Sequence, residues 1–514
     1  MTATIATIHP LSKVITTPFS QTGLIIVLGL GLLLPLGPLT HSPLHHDEAL
    51  YIYWGQLVAS GRDPLLNTVA VDKPPLFIYT LAIFFKLFGF SDTVARLPSM
   101  LAHFAIIGLS FGLGRNLYGR QTGLLSALIV TLSPFSILFA PTALTDPMMV
   151  AWVLLAAWAA TEQKPLWVGL GLGLAAATKQ QGIFFAPLIF GLLFLCHPPI
   201  STTTNKETPT LQNRSRPISQ ALLVYIIVLT LPLIWDLNRT YRPGFWLQSA
   251  ASYGGLSSAV TQFPTRWDSF VQLLTFITGS QTLNTVFLFG LPLIFLTKPM
   301  ATRIQSQSNI DWFLGGFCLI FVGLHAAFSF QVWDRYLLGL VPLAGLLLAR
   351  ILLLPQRIIH ARQIPHQATV IAGLLPFGVA IWLMAAPVQQ AVNTAYPLGA
   401  DHGAFYGTDQ VAAYLRQHAG ANVTLYHRWL GGHWRAYLFN FPYDFRFWQS
   451  ADDLARQAVA NATGRQYIAF PAWQSTTPAE LALFEQGLAL HSVFKTIRPD
   501  GNPAISLYQI EAIE

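Results

Sequence analysis

Charged side chains are scarce in this chain: 10% of its 514 residues, where soluble domains carry about 25%. So little charge excludes an ordinary globule that meets water on all sides. Cysteine is nearly absent as well. Cys196 and Cys318 stand far apart in apolar surroundings, which leaves no disulfide framework and no cysteine metal site. No segment interleaves basic and aromatic residues as RNA-binding surfaces do, so the net charge of +7 does not call for a nucleic-acid partner. The long apolar runs are almost free of ionisable residues, His103 and His325 apart. A transport path at membrane depth needs such groups along it.

What the chain has instead is apolar runs, and 53% of its residues are hydrophobic. Runs approaching or exceeding about 18 residues recur as far as Ala386, and a run of that length crosses the hydrocarbon core as a helix. The pattern predicts about eleven spans, centred near residues 31, 105, 132, 154, 171, 189, 227, 290, 320, 344 and 377. The first run, Thr22 to Thr40, follows Lys13 but is too long for a signal core and lacks a clear cleavage site. It reads as a retained anchor. With the N-terminus inside, Arg115, Arg120, Lys164, Lys206, Arg214, Arg216, Lys298, Arg303, Arg350, Arg357 and Arg362 all fall on the cytoplasmic side, which accounts for the net charge. An odd number of spans then puts the C-terminal segment outside.

The loop from about His41 to Arg96 falls on the outer face in this arrangement, and it opens with an adjacent carboxylate pair, Asp47 and Glu48, in HHDEALYIYWGQ. Acids are costly beside a membrane and point to proton handling or ligand binding. From Asp47 a short helix is expected, with Asp47, Tyr51 and Trp54 on one face, an acid beside two aromatics that suits a sugar. Aromatics at a membrane surface also serve as plain anchors. Leu76 to Phe90 is short for a crossing and contains Lys86, so it is expected to lie in the interface.

Several other segments meet on this face. DKPPLFIY places Lys73 before a Pro-Pro step that fixes the backbone. ARLPS puts Arg96 at the mouth of a span, as a ligand group or an interfacial anchor. In WDRYLLGLVP, Arg335 sits on the outer face against the positive-inside trend, which favours a ligand role. Asp146, in TDP, is either the N-cap of a helix with Pro147 at its first position or a second catalytic carboxylate. Lys179, in TKQQG, falls in a tight turn between two spans.

Past Pro387 the pattern turns soluble. Helical signals at Asp409 to His418, Ser450 to Val459 and Thr477 to Leu488 alternate with strand-like runs at Val423 to Tyr426, Tyr467 to Phe470, Val493 to Ile497 and Ala504 to Ile510. Thr477, Pro478 and Glu480 form a capping-box pattern, and RPDGNP reads as a turn between two strands. The division is therefore a membrane unit, 1–387, and a small α/β unit, 388–514. Its His427, Arg428, His433, Trp434 and Arg435 read as an exposed polar loop or as contacts to acceptor or lipid headgroups.

Taken in order from Thr22 to Ala386, the acid pair, the KPP step, the RLPS segment, the TDP turn and the DRYLL segment resemble the polyprenyl-phosphate-dependent glycosyltransferases of the GT-C class, in particular the bacterial relatives of protein O-mannosyltransferases and of lipid A aminoarabinose transferases. The resemblance implies a polytopic helical GT-C fold in a bacterial plasma membrane, with the site on the extracytoplasmic side. It implies a polyprenyl-phosphate sugar as donor and a lipid, glycan or protein hydroxyl as acceptor. Asp47 maps to that family's catalytic aspartate, Glu48 is its neighbour, and Asp146 maps to its second outer-loop acid. Lys73 and Arg335 map to the groups near the lipid phosphate, with Arg96 and Lys179 the next candidates; Tyr51 and Trp54 are candidates for the sugar. The sequence departs from the pattern in reading GLVP where relatives often carry Pro directly after RYLL. A divalent metal could share the phosphate load, as in some relatives, though no ligand cluster compels one. A lipid or polysaccharide flippase and a non-catalytic assembly subunit are the alternatives.

Overall fold

The computed structural model describes residues 17–196, 211–254, 257–296, 302–361, 366–399, 403–461 and 464–513. Lys13, Lys206, Lys298 and Arg362 of the orienting basic residues lie outside them.

Helices α1 (Thr17–Leu33) and α2 (Leu36–His41) form the first apolar segment, interrupted near Pro35. The short α3 (His46–Ala59) and α4 (Leu76–Phe88) come next, then α5 (Asp92–Tyr118), α6 (Arg120–Leu132), α7 (Pro134–Phe139), α8 (Thr145–Thr161), α9 (Pro165–Thr178) and α10 (Ala186–Leu195), the last entered through a 3-10 turn at Gln180–Phe185. Beyond it lie α11 (Leu211–Asn238), α12 (Phe245–Tyr253), α13 (Phe263–Thr275), α14 (Gln281–Leu296) and α15 (Thr302–Ala327). A 3-10 turn at Asp334–Leu340 leads to α16 (Val341–Leu352), α17 (Leu354–Ala361) and α18 (His366–Val392). Every span centre expected from the sequence falls within a helix. Among the described residues six segments are long and apolar enough to cross a membrane: Gln21–His41, Asp92–Tyr118, Ser215–Asn238, Asn309–Ala327, Asp334–Ile359 and Val370–Val392. Thr145–Thr161, Pro165–Thr178, Gln180–Leu195 and Gln281–Phe295 are apolar but shorter.

The surface of this body is apolar: Leu231, Leu237, Phe289 and Trp382 are more than half exposed. In water such a surface would aggregate; in lipid it is solvated, and the helices are then held together by close packing rather than by the hydrophobic effect. At the α5–α6 contact a methyl group on Gly114 would stand 2.7 Å from the Cα of Gly123, so only glycine lets these backbones approach. At the α8–α9 contact Gly171 faces the carbonyl oxygen of Trp152, 2.9 Å from where its Cβ would lie.

Helix α4 buries Phe77, Leu81 and Phe85 and leaves Ile83, Leu87 and Phe88 exposed. One apolar face thus packs inward while the other stays exposed. Helices α12 and α13 were not anticipated. Both are short and amphipathic, and an 18-residue search for spans passes over such elements.

The C-terminal residues fold around a five-stranded sheet of order β2-β1-β3-β5-β4, made of β1 (Val423–His427), β2 (Asp444–Phe447), β3 (Arg465–Pro471), β4 (Leu488–Ile497) and β5 (Pro503–Ala512). Strands β2, β1 and β3 are parallel, while β5 runs antiparallel to both β3 and β4. Alternate residues of β1 and β3 enter different cores. Leu425 and Tyr467 join Val411, Leu415 and Trp434, whereas Tyr426 and Ile468 join Leu454 and Leu483. Helices α19 (Thr408–His418) and α20 (Gly431–Tyr437) cover one face, and α21 (Ala451–Ala460) and α22 (Thr477–Phe484) the other.

Three details differ from the sequence reading. The N-cap of α22 is Thr476, not Thr477, and no capping side chain bonds there. The expected helix to Leu488 stops at Phe484 because Leu488 already pairs with Ala512 in the hairpin. His433 and Trp434 belong to no exposed loop: both are fully buried in α20, where a His433 ring nitrogen lies 2.9 Å from the carbonyl oxygen of Leu44. Helix α20 is a docking element. Gln56 Nε2 donates to the Ala436 carbonyl at 3.1 Å, Arg62 to that of Phe439 at 2.7 Å, and the Tyr437 hydroxyl to Asp92 at 2.8 Å. These bonds seat the sheet on the loop that carries Asp47.

Candidate active site

The adjacent acids at the start of α3 face opposite ways and do different things. His45 is the N-cap: its Nδ1 accepts from the Asp47 N–H at 3.1 Å, and Glu48 Oε2 accepts from the His45 N–H at 2.8 Å, a reciprocal cap. Glu48 Oε1 also accepts from the Ala143 N–H at 2.6 Å and from Arg96 Nε at 3.2 Å, and Oε2 from Arg96 Nη2 at 3.4 Å. Arg96 spends its other donors on the carbonyls of Leu39, Ser42 and Pro43 at 3.1–3.2 Å. All five guanidinium N–H groups are then occupied. Glu48 and Arg96 are each 2% exposed. Glu48 has no free lone pair with which to take a proton, and Arg96 has no donor left for a phosphate. Together they pin the start of α3 to α5 and to the segment before α8.

Asp47 points instead into a second cluster. Its Oδ2 lies 2.7 Å from Arg335 Nη2, an ion pair rather than a well-aligned hydrogen bond. Arg335 stacks over the Trp333 ring at 4.2 Å, and its own N–H donates to Asp334, whose other oxygen accepts from Gly399. From the extended Trp333 and the 3-10 turn that follows, the side chain reaches the start of α3. Lys73 pairs with Asp72 at 2.8 Å and lies over the Tyr253 ring at 4.1 Å; the Asp72 carbonyl accepts from Gln180 at 2.7 Å. Lys179 pairs with Asp146 at 2.5 Å and lies over the Tyr336 ring at 4.7 Å.

Three carboxylates and three cations, drawn from residues 47 to 335, thus converge in three buried pairs. Arg335 is felt by Asp47, Lys73 and Lys179 alike, so the pairs form one electrostatic unit. Burial pushes Asp47 up, but Arg335, His45 and Lys73 outweigh it and hold its carboxyl well below the usual range. Burial lowers Lys73 despite Asp72, and pushes Lys179 down to about 8 against the pull of Asp146. Charges this costly to bury are arranged for function more often than for stability.

The remaining expectations divide. Asp146 is not an N-cap: Leu144 holds that position, and Asp146 sits inside the first turn beside Pro147. Tyr51 and Trp54 do share a face with Asp47, their rings 5.5 Å apart, but each is 1% exposed and packed in the core. Tyr51 lies under Lys73, with its ring centroid 6.0 Å from Nζ, and Trp54 packs beside Tyr51 in the core. Sequence reasoning missed Asp72, although it stands in the quoted DKPP segment, and Tyr253, for which no signal existed. Among the described residues no three His, Cys, Asp or Glu side chains gather as metal ligands. Each carboxylate of the cluster already faces a cation, so these residues do not compose a divalent-metal site.

The chain has the GT-C glycosyltransferase fold, and it resembles the polyprenyl-phosphate-dependent enzymes of that class. Residues 72–235 match a family model described as dolichyl-phosphate-mannose-protein mannosyltransferase, a stretch that includes Lys73, Asp146 and Lys179. Among solved structures, ArnT from Cupriavidus metallidurans bound to undecaprenyl phosphate superposes with a TM-score of 0.60 at 16% identity, over 96% of this chain and 98% of that one. The Archaeoglobus fulgidus oligosaccharyltransferase tethered to an acceptor peptide gives 0.53 at 11% identity, over 97% and 74%. The arabinofuranosyltransferase AftD from Mycobacteria gives 0.50 at 14% identity, over 95% and 41%. No curated sequence matches the chain.

Proposed function

We propose that this protein transfers a sugar from a polyprenyl-phosphate donor to an acceptor hydroxyl at the extracytoplasmic face of a bacterial plasma membrane, with about eleven spans holding the site at the lipid surface. The observation that carries this reading is the convergence of Asp47–Arg335, Lys73–Asp72 and Lys179–Asp146 in one buried cluster. A neutral set of pairs has little reason to be buried unless an ion joins it, and the phosphate of such a donor is the ion that the resemblance to GT-C enzymes supplies.

The reaction is written as a single displacement. The acceptor oxygen attacks the anomeric carbon, the bond from that carbon to the phosphate oxygen breaks, and the polyprenyl phosphate leaves with the electron pair. Attack opposite the leaving group inverts the configuration. Asp47 takes the hydroxyl proton, a role that typically contributes about a hundred- to ten-thousand-fold. Lys73 and Arg335 receive the charge that grows on the phosphate, acting as preorganised counterions in a site poor in water. Arg335 thereby has two anions to serve. As it turns toward phosphate its hold on Asp47 weakens, and the carboxylate regains basicity when the donor is in place.

The test is transfer by the purified protein in lipid, supplied with polyprenyl-phosphate sugars and a set of lipid, glycan and peptide acceptors. Labelled product with inverted anomeric configuration is expected. Donor movement across the bilayer without transfer would replace the reading with that of a flippase.

A further inference from the structure

The sheet of the C-terminal unit has a switch point. The chain leaves β1 for β2 on one side, and leaves β3 for β5 and β4 on the other, so the loops that follow β1 and β3 diverge. In open α/β sheets the crevice outside the carboxyl ends of such strands is where ligands bind. Here that crevice has been furnished. The loop after β1 presents Trp429 and the loop after β3 presents Trp473, with ring centroids 5.9 Å apart at 61°. Both indoles are close to half exposed, 46% and 49%, whereas the unit's other two tryptophans, Trp434 and Trp448, are buried.

The indoles are held in place. Trp473 Nε1 donates to the Ala404 carbonyl at 3.3 Å, and the Arg428 guanidinium lies 5.6 Å from the Trp429 ring. Trp473 borders a groove of about 660 Å³ whose walls include Gln474, Asn502, Ser506, Tyr508 and Arg498. An aromatic that merely anchors a domain in a membrane stands on a convex surface among aliphatic neighbours. Trp473 stands in a concavity whose lining mixes amides and hydroxyls with Phe470, Pro471 and Pro503, where the flat C–H face of a pyranose can stack and its hydroxyls can be paired.

We propose that this groove binds a glycan, with Trp473 stacking on a sugar, Trp429 backing the Trp473 ring from outside the groove, and Gln474, Asn502 and Ser506 bonding to hydroxyls. Its position favours the carbohydrate part of an acceptor. The loop that carries Trp429 runs straight into α20, whose Gly432 packs on the backbone of α3 near His46 and Leu50, one turn from Asp47. Binding itself does not depend on the proposed transfer reaction.

The experiment uses the full-length protein in nanodiscs, titrated with chitohexaose, mannohexaose, galactohexaose and hexagalacturonate and read by indole fluorescence and calorimetry. At least one of these is expected to bind, with a loss of ten-fold or more in Trp473→Ala and in Trp429→Ala and most affinity kept in Trp473→Phe. Asp47→Asn should bind as wild type does, which separates this site from the catalytic one. Because both tryptophans are half exposed, their variants should melt as wild type does. Three results would each overturn the proposal: no oligosaccharide binding by the wild-type protein, equal binding by the two alanine variants, or equally strong binding of an unglycosylated Ser/Thr-rich peptide.

Discussion

Arg335 Nη2 stands 2.7 Å from Asp47 Oδ2 and joins two elements almost three hundred residues apart in sequence, the start of α3 and the 3-10 turn before α16. In the proposed mechanism the pair is a resting state that the donor phosphate opens. Asp47→Asn should reduce transfer by about a hundred-fold or more while leaving donor affinity unchanged or improved, because Arg335 no longer has a carboxylate to hold. Donor binding by calorimetry beside single-turnover transfer makes the comparison. Near-normal transfer by this variant would remove Asp47 from the chemistry and leave Asp146 as the carboxylate to test.

The pH dependence follows from the same contact. With its carboxyl held well below the usual range, Asp47 stays ionised in the free enzyme at every pH above about 4, so kcat/KM should show no acid limb from this residue between about pH 5 and 7. In stability terms the depressed value contributes fully above the unfolded-state pKa and is lost only as pH falls through the folded one. Arg335→Ala leaves burial unopposed by its largest counterweight, so an acid limb should appear and lie above that of wild type. Identical acid limbs in the two proteins would show that Arg335 does not govern the base.

Lys73 and Arg335 should behave as one phosphate site. Each single alanine variant should weaken donor binding and slow transfer, and the double variant should lose less than the sum of the two in free energy. Removing Lys73 alone strands Asp72 in the interior, which costs about 3–5 kcal/mol in comparable buried pairs. Lys73→Ala combined with Asp72→Ala should therefore recover folded yield but not donor affinity. Recovery of affinity in that double variant would make the lysine structural.

How much of this was legible in the sequence can be judged residue by residue. Lys73, Asp146, Lys179 and Arg335 stood out because ionisable groups are rare in this chain, and the structure brings all four to Asp47. Their pairing was not legible. Nothing in HHDEAL says which acid turns inward to Arg96, since that depends on the N-cap at His45 and on the Ala143 N–H, 95 residues away. The helices were readable from apolar runs, whereas α20 was not: His433 and Trp434 look polar and exposed until α3 is placed against them.

Glu48 and Arg96 supply the contrast to Asp47. Glu48→Ala should lower the thermal stability of the detergent-solubilised protein by about 3–5 kcal/mol, the usual consequence of breaking a buried pair. Whatever fraction stays folded should keep the wild-type donor affinity. A stable Glu48→Ala protein without transfer activity would return Glu48 to the catalytic set.

The orientation of the membrane unit can be tested by thiol labelling. In a background with Cys196 and Cys318 replaced by serine, a cysteine at the exposed Ser475 should react with an impermeant maleimide in cells whose plasma membrane is intact. One at Gln121, exposed beside Arg120 at the start of α6, should react only after permeabilisation. The expectation rests on the basic residues at this end, Arg115, Arg120 and Lys164, all placed inside by the charge bias. The acid cluster and the sheet lie together, because α20 bonds to α3 and α5. Reaction at Gln121 from outside, with Ser475 protected, would therefore move the sheet, Asp47 and the phosphate site to the cytoplasmic face together, and the donor would have to be used on the side where sugars are activated.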